Sequence, residues 1–223
     1  MNRPVVAIDG PSGAGKTTAA VRLAAAAGLL RIDTGAMYRA VALAARRAGV
    51  SPDDSSRLAA LARDLDLSFR NDAGAQRVLL SGEDVSEAIR TPEMSMMSSA
   101  VSAHAPVREA LVAKQREMGR GGGVVLEGRD TGTVVFPGAD VKFFLDASVA
   151  VRARRRFLDP LTRGDRTYEE VLRDVLRRDV QDSTREHSPL RVAQDAVYID
   201  STTLTVEEVV ERMLRRLPAE GRG

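Results

Sequence analysis

Short runs rich in Val, Ile and Leu alternate along this chain of 223 residues with longer stretches whose apolar positions recur every three or four residues, a pattern of strands feeding helices. The short runs predict buried strands at 5–9, 29–33, 124–127, 141–145 and 196–200. Helical periodicity predicts helices at 17–27, 36–48, 107–118, 149–158, 168–182 and 205–217, the last two with charged outer faces. The glycine-rich stretch 119–123 stops the helix before it. Such alternation argues for an α/β fold, a five-stranded parallel sheet with helices on both faces.

One region departs from the alternation. Residues 67–70 and 77–80 read as a hairpin closed by a polar turn at 71–74, and together with 85–103 they form an excursion between core helices. A second irregular patch, 159–167, holds Pro160 and Gly164 between two helices and reads as a mobile lid.

With 33 basic and 31 acidic side chains the net charge is only +2, so no overall field for nucleic acid is implied, and functional basicity must be local. Arginine clusters at 152, 154, 155 and 156 and again at 163, 166, 173, 177, 178 and 185, which is where polyanion chemistry is to be sought. The chain has no cysteine and only His104 and His187, which disfavours disulfides, thiolate chemistry and an ordinary zinc site. A signal peptide and a membrane span do not fit the sequence either, so the expectation is a cytoplasmic protein that binds neither membrane nor nucleic acid.

The chemistry is carried first by Gly10, Pro11, Ser12, Gly13, Ala14, Gly15, Lys16 and Thr17, which match the phosphate-binding pattern G-x-x-x-x-G-K-[ST] between a strand and a helix that Thr18 continues. Glycines let backbone N–H groups curl around phosphate oxygens, the helix N-terminus adds positive potential and Lys16 places a charge at the outer phosphates. Thr17 is placed to put its hydroxyl on Mg2+. The chain contains no Asn-Lys-x-Asp guanine reader, and the strand at 124–127 is followed at once by Gly128-Arg129-Asp130, which disfavours a GTPase switch and a motor. What remains is phosphoryl transfer to a small acceptor. An alcohol needs a base, whereas a phosphate monoester needs positive charge to suppress repulsion, and the arginines favour the phosphate.

Several longer strings add to this. Ile8-Asp9-Gly10-Pro11-Ser12-Gly13-Ala14-Gly15-Lys16, Asp33-Thr34-Gly35-Ala36-Met37-Tyr38-Arg39, Glu127-Gly128-Arg129-Asp130-Thr131-Gly132-Thr133, Asp200-Ser201-Thr202-Thr203-Leu204 and Val85-Ser86-Glu87-Ala88-Ile89-Arg90-Thr91-Pro92-Glu93 together resemble the bacterial cytidylate kinases nearly end to end. The resemblance implies a single three-layer P-loop NTPase domain over 1–223 around the five-stranded parallel sheet, with an insert of short strands over 61–103 that binds the nucleoside monophosphate and a short lid over 157–167. It implies direct in-line transfer from ATP, with Mg2+, to CMP or dCMP in pyrimidine nucleotide metabolism, by a monomer. Position by position, Thr34 and Asp130 resemble contacts to the cytosine amino group, and Ser99 and Arg108 readers of its other polar edge. Tyr38, Arg178 and Asp182 resemble residues along the ribose, and Arg39, Arg129 and Arg185 those gripping the monophosphate. Arg152, Arg155 and Arg163 stand, by analogy with nucleoside monophosphate kinases, as groups that neutralise the transferring phosphoryl.

Each residue also has a plainer reading. The arginines at 152–156 could form a solvated helix face, on which Arg152, Arg155 and Arg156 share one side and Arg154 points elsewhere. Asp130 could cap the turn that follows it. Glu127 could face the site near magnesium or pair with a nearby arginine. Met94, Met96 and Met97 read as gap-filling contacts of the insert. Two other functions stay open: a kinase of the same fold acting on UMP or shikimate, and a non-catalytic ATP-binding regulator.

Overall fold

The computed structural model describes residues 3–72 and 75–218. In chain order the strands are β1 (Val5–Asp9), β2 (Leu30–Asp33), β3 (Leu67–Asp72), β4 (Ala75–Leu80), β5 (Glu83–Asp84), β6 (Val124–Gly128), β7 (Val141–Asp146) and β8 (Val197–Asp200). The helices are α1 (Lys16–Ala27), α2 (Thr34–Arg47), α3 (Ser55–Asp64), α4 (Pro92–Val101), α5 (Ala105–Gly119), α6 (Val149–Leu158), α7 (Pro160–Arg163), α8 (Tyr168–Thr184) and α9 (Val206–Leu214). A 3-10 turn spans Ala88–Arg90 and a π-turn spans Thr131–Val135. The chain divides into two compact units, one of Met1–Asp33, Gln115–Asp159 and Arg166–Gly223, the other of Thr34–Lys114 and Pro160–Asp165.

The first unit is built on the expected sheet of five parallel strands, in the order β2-β6-β1-β7-β8. Its register sets Asp9 beside Gly128, Asp33 beside Glu127 and Asp146 beside Asp200, so the strands end together along one edge. That edge is where open α/β sheets bind ligands. Side chains alternate along a strand, and Val6, Ile8, Val125, Phe143, Leu145 and Ile199 pack on one face against α1 and α9. The α1 side of this core is Ala19, Ala20, Leu23, Ala24 and Ala27, and such small side chains let a helix lie close to the strands. Thr205 caps α9 by accepting from Glu208 N while the Glu208 carboxylate accepts from Thr205 N, and Thr167 with Glu170 does the same for α8. Helix α9 stops at Leu214, short of the expected 217, because its last turn tightens: Arg216 N donates to Met213 O and Leu217 N to Leu214 O.

The second unit packs α2 against α3, α4 and the 3-10 turn, and carries the antiparallel sheet β3-β4-β5. The hairpin expected from the sequence is present, with Leu67 opposite Leu80 and Arg70 opposite Arg77. Of its expected polar turn, Asn71 and Asp72 belong to β3, while 73 and 74 lie outside the described residues. Three helices in this unit were not expected: the four-residue α7, inside the patch read as irregular, and the longer α3 and α4. Asp54 starts α3 by accepting from Arg57 N at 3.0 Å, and Leu58, Ala59 and Ala62 form its buried stripe. Thr91 starts α4 by accepting from Met94 N, with Pro92 at the first helical position. Met94 is fully buried, as a gap-filler should be, whereas Met96 is half exposed. Ion pairs such as Arg46–Glu93 and Arg47–Glu83 are exposed and add little.

Phe143, 1% exposed on a central strand, is among the largest fully buried side chains. Phe143→Ala is expected to cost about 3–5 kcal/mol, read as a lower midpoint in urea unfolding at unchanged slope.

Candidate active site

The loop between β1 and α1 can take its shape only with glycine at particular points. Gly10 has φ 150, and a Cβ there would sit 1.9 Å from the carbonyl oxygen of Leu145. At Gly13, φ 81, it would sit 2.8 Å from the carbonyl oxygen of Arg152. The loop therefore lies against β7 and α6 by backbone, which leaves its amides for a ligand. Lys16 is buried, its Nζ donating to Pro11 O at 2.7 Å across the loop. Burial, and next the Arg129 guanidinium, lower the Lys16 ammonium to about 7. An arriving phosphate acts in the opposite sense and favours the charged form.

Thr17 and Thr18 are exposed on the first turn of α1. Thr17 Oγ1 donates to Glu127 Oε2 at 2.7 Å, and Arg31 Nη1 donates to Glu127 Oε1 at 2.7 Å. The arginine-partner reading of Glu127 therefore holds, with its second oxygen accepting from Thr17. Burial, then Asp33, raise its carboxyl to about 7, against the pull of Arg31. A hydroxyl next to a strand-end carboxylate, with Asp33 alongside, is a hard-oxygen donor set that fits magnesium held mainly by nucleotide phosphates and water. No cluster of three or more His, Cys, Asp or Glu that could cage a metal occurs among the described residues, and this mode of binding needs none.

The segment after β6 is anchored from two sides. Asp9, 4% exposed at the end of β1, accepts from Thr131 N at 2.8 Å, Thr131 Oγ1 at 2.7 Å and Gly132 N at 2.7 Å. Arg116 donates to the carbonyls of Val134 and Val135 at the far end of the π-turn. Asp130 makes no capping hydrogen bond here, so the capping role that sequence suggested for it belongs to Asp9. Asp130 stands 3.9 Å from Arg185 Nη2 instead. Arg129 Nε donates to Asp182 Oδ2 at 2.7 Å, and Asp182 is also 3.8 Å from Arg185. Burial opposes charge on both members of the Arg129–Asp182 pair, but each partner outweighs it, raising the guanidinium and lowering the carboxyl. Arg129, Asp130, Arg178, Asp182 and Arg185 thus sit in the same compact unit as the phosphate loop.

The helix arginines separate by their partners. Arg152 is 4% exposed and grips Asp179 with two nitrogens, at 2.9 and 2.6 Å, while donating to Ala147 O and Ser12 O. Arg155 donates to Ala14 O and to the Ser201 hydroxyl and carbonyl, bracing the phosphate loop against the end of β8. Arg156, given no role from sequence, donates to Ser12 Oγ at 3.1 Å. Sequence reasoning also passed over Asp9 and Asp179, whose partners are remote in the chain, and Asp174, whose Arg177 and Arg178 are one turn away but which also gathers Arg156 from α6. The acid spacing on α8 was the one available signal for Asp174 and Asp179.

In the second unit, Thr34 opens α2 and shares a face with Tyr38 one turn on, and Arg39 follows half-buried. Arg108 lies over the Tyr38 ring, 5.4 Å from its centre, and donates to Ser102 O at 3.3 Å. Ser99 is half-buried on α4, and Arg163 Nε on α7 donates to Gly164 O.

The cytidylate kinase profile matches residues 6–219. A cytidylate kinase of Geobacter sulfurreducens is 57% identical over 210 residues, 94% of this chain and 90% of that one, and one of Citrifermentans bemidjiense is 56% identical over 213 residues, 95% and 91%. A solved shikimate kinase from Bacteroides thetaiotaomicron shares the fold at a TM-score of 0.50 and 14% identity, over 95% of this chain and 97% of that one. A strand, a phosphate-binding loop and a buried arginine set define a P-loop kinase of α/β fold. The chain belongs to the cytidylate kinase family.

Asp9→Asn keeps the volume but turns an amide donor toward N–H groups that need acceptors. It is expected to destabilise the protein by about 1–3 kcal/mol, measured by thermal and urea unfolding, with Asp9→Ala at least as severe.

Proposed function

We propose that this chain transfers the terminal phosphoryl group of ATP directly, in line, to the phosphate of CMP or dCMP, giving ADP and CDP or dCDP. The observation that carries the reading is the Arg129–Asp182–Arg185 group, which ties α8 to the residue after β6 at the carboxyl edge of the sheet, in the same compact unit as the Lys16 loop. An anionic acceptor repels ATP, and guanidiniums held at that edge offset the repulsion. Phosphate-loop amides and Lys16 hold the donor phosphates. Thr17, supported by Glu127, is the protein ligand for magnesium, which when bound supplies charge neutralisation on the outer phosphates.

For the acceptor, Arg129, Arg185 and Arg39 take the monophosphate, while Tyr38, Arg178 and Asp182 lie along the ribose. Thr34 and Asp130 accept from the cytosine amino group, and Ser99 and Arg108 read its other edge. Arg152, Arg155 and Arg163 remain the candidates for charge on the transferring group. Of these, Arg152 and Arg155 already have protein acceptors, so their share in catalysis is to shape the loop as much as to touch phosphate. The insert over 61–103 serves acceptor binding and the lid over 157–167 excludes water that would hydrolyse ATP. No described helix is long and apolar enough to cross a membrane, which is compatible with a cytoplasmic monomer working on free nucleotides.

The test is ADP release with each nucleoside monophosphate, and with shikimate, in turn. CMP and dCMP should drive release and the others should not; release independent of any acceptor would remove the kinase reading. Lys16→Ala should lose most turnover. Arg129→Ala should lower kcat/KM for CMP about a hundredfold or more, through both KM and kcat, and unchanged kinetics would refute its assignment. Asp130→Ala should relax the preference for cytosine over uracil in the same panel at nearly unchanged ATP affinity, and a parallel loss of ATP binding would count against that role.

A further inference from the structure

Asp174 of α8 has no part in the roles above, yet more guanidinium groups converge on it than on any other described carboxylate. Its side chain is 5% exposed and its two oxygens face different ways. Oδ2 has Arg166 Nη1 at 3.3 Å, Arg178 Nε at 3.4 Å and Arg156 Nη2 at 3.9 Å, groups that are themselves 22%, 11% and 12% exposed. Oδ1 accepts from Arg177, which lies 63% exposed on the outside. The three inward groups come from three places: α6, the stretch before α8, and α8 itself. Arg156 also donates to Ser12 Oγ, so the cluster reaches the loop that takes the donor phosphates.

Burial opposes charge on Asp174, but the surrounding guanidiniums, Arg178 foremost, overcome it and hold the carboxyl below its ordinary range. Burial and then the neighbouring Arg178 lower Arg156 to about 10, so these cations crowd one another and Asp174 offsets the crowding.

We propose that Asp174 is a positioning residue that competes with nucleotide phosphates for Arg156 and Arg166, while Arg178 stays beside it on α8. Its carboxylate gathers the first two when phosphate is absent, yields them as phosphate enters, and draws them back as product leaves. Exchanging one anion for another keeps desolvated guanidiniums compensated in both states. The inference rests on the kinase reading for the identity of the phosphate ligand.

The experiment compares Asp174→Asn with wild type by equilibrium titration with ADP and with pyrophosphate, alongside steady-state kinetics with CMP. Removing a charge that competes for the same guanidiniums should tighten ADP and pyrophosphate by about fivefold or more. At the same time kcat should fall as product release slows. Asp174→Glu, which restores the charge, should return both values towards wild type. A residue serving only the fold would give the opposite sign, looser binding from misplaced arginines. Unchanged or weaker ADP and pyrophosphate binding in a folded Asp174→Asn, or a kcat that does not fall, overturns the proposal. Where that variant does not fold, Asp174→Ser and Asp174→Gln carry the same expectation; failure of every neutral variant to fold, with Asp174→Glu folded, makes the residue structural and also overturns it. Neither titration contains an acceptor, so failure of the CMP assignment, read from the wild-type acceptor panel, stays separate.

Discussion

A guanidinium taken out of water costs several kcal/mol unless a carboxylate is set against it, and the carboxyl edge of the five-stranded sheet is organised around that constraint. Arg31 answers to Glu127, Arg129 to Asp182 and Arg152 to Asp179. Two of these acids, Asp179 and Asp182, are on α8, and Asp174, facing its own arginines, is there too. At about 100° per residue the three acids span an arc of about 140°, so one side of one helix carries the counter-charges for several segments. The helix is strongly held for that task, with a capping box at its start and α6 packed along it. Breaking the Arg31–Glu127 pair, buried on both sides, would leave the remaining member buried with one charge fewer against it, which is costlier than the pair is stabilising.

The same constraint makes the edge responsive to anions. Lys16 sits where burial and Arg129 work against its charge, and an arriving phosphate oxygen opposes both by favouring the ammonium form. The glycines at 10 and 13 bring backbone within contact of Leu145 and Arg152, so the loop amides are held by rigid neighbours and not by side chains that would compete for the ligand. Ser201 adds a further brace, donating to Ala14 O and Asp146 O while accepting from Arg155. Phosphate recognition is thus prepared before the nucleotide arrives, which lowers the ordering cost of binding.

What could be read in the sequence was what is local. The five strands and the phosphate loop announce themselves by short apolar runs and a spacing of glycines and lysine, and their observed bounds differ from the expected ones by a residue or so. Helices α3 and α4 were missed because their start signals, Asp54 and Thr91-Pro92, sit in polar stretches with narrow apolar stripes. Pairings across the chain were beyond reach. Nothing near Arg152 in sequence points to Asp179, and nothing near Asp130 shows that the cap of the following turn is supplied by Asp9, 122 positions earlier. The arginine face at 152–156 was legible as a face, but which member meets the phosphate loop depended on the packing of α6.

Asp9 shows why that distant cap matters for chemistry. It ends β1, so the next residue opens the phosphate loop, and its carboxylate fixes the turn that begins immediately after Arg129 and Asp130. One buried side chain therefore ties the phosphate-binding-loop segment to the segment that carries Arg129 and Asp130. β1 and β6 are neighbouring strands in register, and Arg116 secures the other end of the turn, so the spacing between the two is set by sheet geometry and hydrogen bonds to backbone. In a transfer that depends on holding two anions in line, a displacement of about 1 Å is enough to lose much of the rate. Placing the link on a strand residue paired in the ladder, where the backbone is less free than in a loop, protects that distance.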